Sequence, residues 1–298
     1  MTAVRLAVNM FGLAGLYGGD ARGLVDAAQL AEQLGFHQVV FQDHVCMGEQ
    51  LQHYPFGTFP LPPEAPWLEP LVLMSAVAAA TRHIRLATSV IIAPLRPAVL
   101  LAKMAATLDQ LSHGRLDLGV GVGWQREEYQ AQGLDFDARW GLLDDGLRAC
   151  RKLWTEFPVS FDSRSVNLQR IYSTPLPAQN PLPLWFGVAA TPRQARRIAE
   201  LGQGWLPISQ DPAELQRGIA LIRSAFQAAG REPAELQVRA ILKPVPGKAG
   251  ADLGATLAGA GRLREAGVDI LEIVPIHFAQ SVDALGAVLR EAARLQEG

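Results

Sequence analysis

The chain has 298 residues, with 27 Lys and Arg against 29 Asp and Glu, a formal net charge of -2, and 49% hydrophobic against 19% charged residues. A charge this close to zero gives no basic face for nucleic acid, and the apolar content is enough for a large core and argues against disorder. Two cysteines, Cys46 and Cys150, are too few for a disulfide framework or a cysteine-based zinc site.

The first residues, M-T-A-V-R-L-A-V-N-M, hold no long apolar region and no cleavage site, and read as a strand at once. The longest uncharged apolar runs, 71–80 and 86–95, are each about half a membrane span. A soluble, cytoplasmic protein is expected. Residues 4–9 form a short β run. Residues 22–34 have a 3.6 period that Gly35 ends, and 38–42 (Q-V-V-F-Q) is the next strand. A loop rich in Pro, Gly and aromatics runs from 43 to about 66. Residues 68–81 read as helix, 84–91 as strand, 97–111 as helix with proline at its start and Gly114 behind it, and 115–121 (R-L-D-L-G-V-G) as strand.

The second half repeats the rhythm. Residues 136–154 form a long amphipathic helix, and 156–181 an irregular polar excursion with a short hairpin. The remaining strands are predicted at 184–187, 205–208, 236–242 and 269–274. The helices between and after them are 191–201, with Thr191 as cap and Pro192 at the first position, then 212–229, 252–266 and 282–295.

Eight strand–helix units in one run of about 300 residues, with no linker or composition break, imply a parallel sheet closed into a single (β/α)8 TIM barrel over 1–298. Its insertions follow strand 2 and the strand-4 helices. Chemistry in such a barrel sits at the C-terminal strand ends. Here those ends are 9–12, 42–44, 89–91, 121–124, 187–190, 207–209, 243 and 275–277.

Several of these ends carry suggestive residues. His44 closes strand 2, either as a titratable ring at the barrel mouth or as a satisfied loop histidine. L-G-V-G-V-G-W (118–124) lacks the G-x-G-x-x-G spacing of a dinucleotide loop. Its glycines suit a close backbone approach to a flat ligand with Trp124 as a wall, or simply relief of crowding. F-G-V-A-A-T-P-R (186–193) sets small residues before a helix N-terminus, where N–H groups attract phosphate, or makes a tight turn. Glu127 and Glu128 read either as acid/base carboxylates or as first-turn residues favoured by the helix dipole. The six histidines show no H-x-x-x-H pair and no carboxylate cluster has ligand spacing, so no metal is expected. The aromatic and proline-rich stretch 54–67 is either a lid or a rigid surface loop.

A-A-Q-L-A-E-Q-L-G-F-H-Q-V-V-F-Q-D-H (27–44), P-W-L-E-P-L (66–71), 78–103 and L-D-Q-L-S-H-G-R-L-D-L-G-V-G-V-G-W-Q-R-E-E-Y (108–129) together resemble the luciferase-like family of flavin- and deazaflavin-dependent oxidoreductases. The likeness is dense to about residue 154. It implies a (β/α)8 barrel with the ring of coenzyme F420 or FMN across its mouth and a small organic substrate above it. In family members a non-proline cis peptide props the ring, at the position of Ser89-Val90 here. The resemblance further implies His44 as the active-site histidine, and Gly121, Val122 and Gly123 as the loop flanking the ring. Gly187 and Val188 match a Gly-Gly at the phosphate or tail site, the second glycine being replaced. Trp124 stands where deazaflavin-dependent sugar-phosphate dehydrogenases carry a glutamate, which disfavours that substrate. Phe11 and Trp124 are the expected substrate walls. Many members are homodimers, with neither nucleic acid nor membrane as partner. The expected activity is hydride transfer with F420. The alternatives are an FMN monooxygenase using dioxygen and a non-catalytic flavin-binding protein.

Overall fold

The computed structural model describes residues 4–248 and 250–296. Eight parallel strands close into a cylinder: β1 (Arg5–Asn9), β2 (Gln38–Phe41), β3 (Arg85–Thr88), β4 (Leu116–Gly121), β5 (Leu184–Gly187), β6 (Gly204–Leu206), β7 (Gln237–Ile241) and β8 (Ile270–Ile273). The first and last strands pair at Arg5↔Ile270, and Leu86↔Leu116 joins β3 to β4, so the ladder has no open edge.

The helices are α1 (Arg22–Gln33), α2 (Pro70–Ala80), α3 (Ala98–Leu111), α4 (Arg126–Ala131), α5 (Arg139–Thr155), α6 (Pro192–Leu201), α7 (Pro212–Ala228), α8 (Leu253–Leu257), α9 (Ala260–Glu265) and α10 (Val282–Ala293). Several starts are fixed by side chains that take up free backbone donors: Glu69 accepts from Val72 N, Thr191 from Gln194 N, Asp211 from Glu214 N and Ser281 from Ala284 N. In α1 the buried Leu24, Ala27, Ala28 and Ala31 form one stripe at helical spacing, and Gly35 beyond it takes φ 78°. Those stripes and the outward faces of the strands make the main core. Inside the cylinder a smaller apolar set, Ala7, Val40, Ala87, Trp185, Leu206 and Ile270, packs with Val90.

The barrel and the positions of both insertions agree with the sequence expectation. The first insertion occupies 42–69. The second holds an antiparallel hairpin, Val159–Asp162 against Asn167–Ile171. Helix α4 lies outside the expected helices, the strand expected at 205–208 ends at Leu206, and two elements differ further. The strand expected over 84–91 leaves the ladder after Thr88, where its carbonyl presses on Gly119 so closely that a Cβ there would lie 1.9 Å from the oxygen. A two-residue strand, Ile91–Ile92, then rejoins β4. The helix expected over 252–266 is split into α8 and α9, because Gly254, Gly259 and Gly261 weaken helix in its middle. A short hairpin, Val245–Gly247 with Gly250–Asp252, precedes it. Among the described residues no helix is long and apolar enough to cross a membrane.

Candidate active site

The floor of the barrel mouth comes from β3, β4 and β5. The Ser89-Val90 peptide is cis. Val90 is seated over two positions without side chains: a Cβ on Gly121 would come within 2.6 Å of its Cγ2, and one on Gly187 within 2.6 Å of its Cγ1. Both glycines are therefore space for Val90, and the half-buried Ser89, Val90, Gly123 and Gly187 form a low surface. Gly123 needs its freedom twice, since φ is +64° and a Cβ would be 3.0 Å from Ile92.

Two expected site residues do not face this surface. Val122 and Val188 both turn their side chains into the main core. Their carbonyls are also engaged, accepting from Tyr129 OH at 2.6 Å and Trp205 Nε1 at 2.8 Å.

The wall rises from β2 and from the segment after β4. The buried His44 places Nδ1 2.9 Å from Oε2 of the fully buried Glu128, whose Oε1 accepts from Val45 N at 2.9 Å. An ionised carboxylate only accepts, so the proton of this contact is assigned to Nδ1, leaving Nε2 for another partner. Of the two adjacent glutamates, Glu128 is thus the one in the site. Glu127 lies outside it, against Gly48. Nothing in the sequence pairs residue 128 with residue 44; the only signal was that Glu128 follows closely on the strand end at 121–124, as His44 closes strand 2.

Rings enclose His44. Its centroid lies 4.5 Å from Trp67, 5.9 Å from Phe59 and 6.0 Å from Trp124, and Phe11 is 6.0 Å from Trp67. Tyr54 packs 5.2 Å from Trp124, and burial raises its phenol pKa, so it stays protonated at neutral pH. Phe11, His44 and Trp124 are thereby brought together around Trp67.

The insert that supplies Tyr54, Phe59 and Trp67 is pinned. Gln125 donates to Gly48 O at 3.0 Å and accepts from Gly48 N at 2.9 Å. Asp43 takes a bidentate pair from Arg96, at 2.7 and 2.9 Å, and the amide of Ile92, while Arg96 also holds Glu69.

Beneath the mouth the lumen also holds buried polar groups. Arg239 and Glu272, 2% exposed each, form an ion pair at 2.8 Å. Glu272 accepts from Asn9 Nδ2, and Asn9 Oδ1 accepts from both Phe11 N and Gln42 Nε2. On the other side Arg239 reaches Gln38, which donates to Asp117, the partner of Arg85. The sequence reading passed over Arg239 and Glu272. A charge inside V-R-A-I and L-E-I was the available sign.

A flat apolar ring fits these residues. Val90 lies over two glycines where side chains would otherwise rise, and small residues continue at Ala189 and Ala190. The buried His–Glu pair beside that surface can hold or deliver one proton in a place shielded from water by aromatic rings.

The sequence matches the luciferase-like monooxygenase family over residues 2–264. An uncharacterized protein of Mycobacterium tuberculosis is 34% identical over 236 residues, 77% of this chain and 83% of the relative. An F420-dependent glucose-6-phosphate dehydrogenase of Gordonia bronchialis is 31% identical over 222 residues, 72% of this chain and 61% of the relative. The crystal structure of monooxygenase RslO1 from Streptomyces bottropensis superposes with a TM-score of 0.80 at 22% identity, covering 98% of both chains. Members of this family are oxidoreductases and monooxygenases that use F420 or FMN. Closed barrel, low glycine-backed mouth and matched sequence agree that this chain belongs to the luciferase-like monooxygenase family.

Proposed function

We propose that the protein is an F420-dependent oxidoreductase that passes hydride to or from a small organic substrate. The observation that carries this reading is the buried His44–Glu128 pair, enclosed by aromatic rings beside the Val90 surface. When bound, the deazaflavin ring supplies the hydride chemistry. Val90, Gly121, Gly123 and Gly187 would hold the ring. Glu128 keeps Nδ1 of His44 protonated and turns Nε2 to the substrate, where it gives or takes the proton that accompanies hydride movement. Trp124, Phe59 and Trp67 exclude water. The Asp43–Arg96–Glu69 group steadies the chain on the His44 side, so the imidazole is positioned before substrate arrives.

FMN with dioxygen is the second reading, favoured by the monooxygenase designation of the matched family. Titration with each cofactor, followed by ring fluorescence, separates the two. Saturable binding of F420 and reduction or oxidation of its ring with an alcohol or ketone panel support the first. Binding of FMN and not F420, with an oxygenated product formed from dioxygen once the FMN has been reduced with dithionite, replaces it by the second.

A further inference from the structure

A cavity of about 690 Å3 lies at the end of the barrel away from His44, among the first residues of the strands, the end of α6 and the segment after α7. Arg5, Arg85, Arg151 and Arg231 line it together with three carboxylates, and each carboxylate is already taken. Asp117 holds Arg85 at 2.6 Å, Glu235 holds Arg231 at 2.6 Å, and Glu200 turns to Arg148, outside the cavity, at 2.7 Å. Arg5 has Asp269 at 3.7 Å, beyond hydrogen-bond reach. Arg151 meets no carboxylate among the described residues. It donates to Leu182 O at 2.6 Å and to Leu201 O, the end of α6, which offers only the partial charge of a helix terminus. Burial, and then Arg231, push its guanidinium down to about 10. A half-buried cation without a counter-charge is costly, so negative charge is what this cavity lacks.

Each of these two arginines is joined to a glutamine. Arg151 Nη2 donates to Gln203 Oε1 at 2.9 Å, and that oxygen also accepts from Leu184 N at 3.0 Å. Arg5 Nη1 donates to Gln237 Oε1 at 3.3 Å. A donor aimed at each amide fixes its oxygen on that side and turns the NH2 group away. Neither Nε2 has a partner among the described residues, and neither is sealed from solvent. The cavity thus holds one unit twice: a guanidinium short of negative charge beside a free amide donor. The units start side by side, since Gln237 N donates to Gln203 O at 3.0 Å, and then part, one toward β5 and the other toward β1. Each unit suits one carboxylate, whose two oxygens accept from a charged and a neutral donor.

We propose that this cavity is a binding site for a small organic dicarboxylate, one carboxylate on Arg151 and Gln203 and the other on Arg5 and Gln237. A phosphate gathers its oxygens on one atom and serves one unit only. Between the cavity and His44 the cylinder holds the Arg239–Glu272 pair and the apolar set around Trp185, so the occupant stays apart from the barrel mouth. The site stands whichever cofactor the mouth takes.

Calorimetric titration of the full chain at pH 7 with succinate, glutarate, adipate, butyrate and inorganic phosphate tests this. The best of the three dicarboxylates is expected to bind one per chain. Butyrate and phosphate, each engaging a single unit, should bind at least about tenfold more weakly, the worth of one charge-assisted hydrogen bond. Arg5→Gln removes the charge of one unit at a partly exposed position, so it should weaken the dicarboxylate about tenfold and leave butyrate within about twofold. Arg151→Met should do the same at the other unit. Because Arg151 also caps α6, its variant is read only with a native circular dichroism spectrum, and Arg5→Gln carries the test if that spectrum is lost. The imidazole proton resonances locate the site: those of His37, which lines the cavity, should move on saturation while those of His44 stay. Absence of dicarboxylate binding, butyrate or phosphate binding as tightly, an unchanged Arg5→Gln variant, or movement at His44 in place of His37 would each overturn the inference. Fluorescence titration with F420 or FMN at saturating dicarboxylate is expected to match the titration without it, and competition between the two would refute the separate site while leaving the proposed function.

Discussion

His44 and Glu128, 84 positions apart in the chain, meet at 2.9 Å inside the barrel mouth, and the same carboxylate holds the amide next to the histidine. One side chain therefore fixes the ring's tautomer and the path of the backbone that carries it. Glu128→Gln, which keeps the shape and removes the charge, is expected to lower kcat by roughly 10–100-fold with KM little changed, the cost of one charge-assisted hydrogen bond lost in the transition state. His44→Ala removes the proton partner itself and should cost on the order of 100-fold or more. Steady-state kinetics with the cofactor that binds check both, and undiminished turnover in His44→Ala would end the assignment.

Gly119 and Gly121 separate fold from site. A Cβ at Gly119 would meet the Thr88 carbonyl oxygen at 1.9 Å, a backbone atom that cannot step aside. Gly119→Ala should fail to give folded protein, or melt far below the parent by circular dichroism. A Cβ at Gly121 meets only the Val90 side chain, at 2.6 Å. Gly121→Ala should fold, with Val90 displaced and cofactor affinity down at least about tenfold in a fluorescence titration.

Arg239→Met leaves the Glu272 carboxylate buried without its cation, and a loss of about 3–5 kcal/mol is expected in urea unfolding. Glu272→Gln in the same chain removes the stranded charge while keeping an acceptor for Asn9. The double variant should recover most of the loss. If it is no more stable than Arg239→Met, the ion pair is not the source of the effect.

His37, at the opposite end of the barrel, gives a pH dependence. Burial first, and then the nearby Arg5, push its ring down from 6.5 to about 4. Between those values the unfolded chain takes up a proton that the native ring refuses, so the contribution is complete above about pH 6.5 and is lost as pH falls toward 4. After allowance for solvent screening of this partly exposed ring, roughly 1–2 kcal/mol is expected to go over that range. His37→Gln should flatten the slope in denaturation curves taken from pH 7 to pH 4, and an unaltered slope would show that other groups produce it.

The repeating architecture was legible because each strand is a compact apolar run and each helix stripe ends at a residue of plain meaning, such as Gly35 or Thr191. Local chemistry failed where the determinant was distant. The residue pattern of 84–91 reads as one strand, and only the cis peptide that the resemblance implied at Ser89-Val90 marks the break after Thr88, where Gly119 leaves room for the Thr88 carbonyl. The rhythm of 252–266 reads as one helix, and only the summed weakness of its three glycines divides it. In the site, His44 stood out by position and Trp124 and Phe11 by type. Glu128 did not, because a glutamate in the first turn of a helix has an adequate local explanation. Val188 was expected beside Gly187 at a phosphate or tail site, yet its side chain follows the strand's outward face into the core.

Gln125 grips both backbone atoms of Gly48, and Glu128 grips Val45, so the chain is clamped as far as residue 48 and only then set loose over the barrel. Residues 49–66 can accordingly be exchanged like a cassette: a graft from a relative would alter which molecules gain entry while the imidazole and its carboxylate stay in register. Diversification of chemistry on this scaffold then needs no change to the barrel, merely a new strip of polypeptide hung between two fixed anchors, Gly48 at one end and Glu69 on Arg96 at the other.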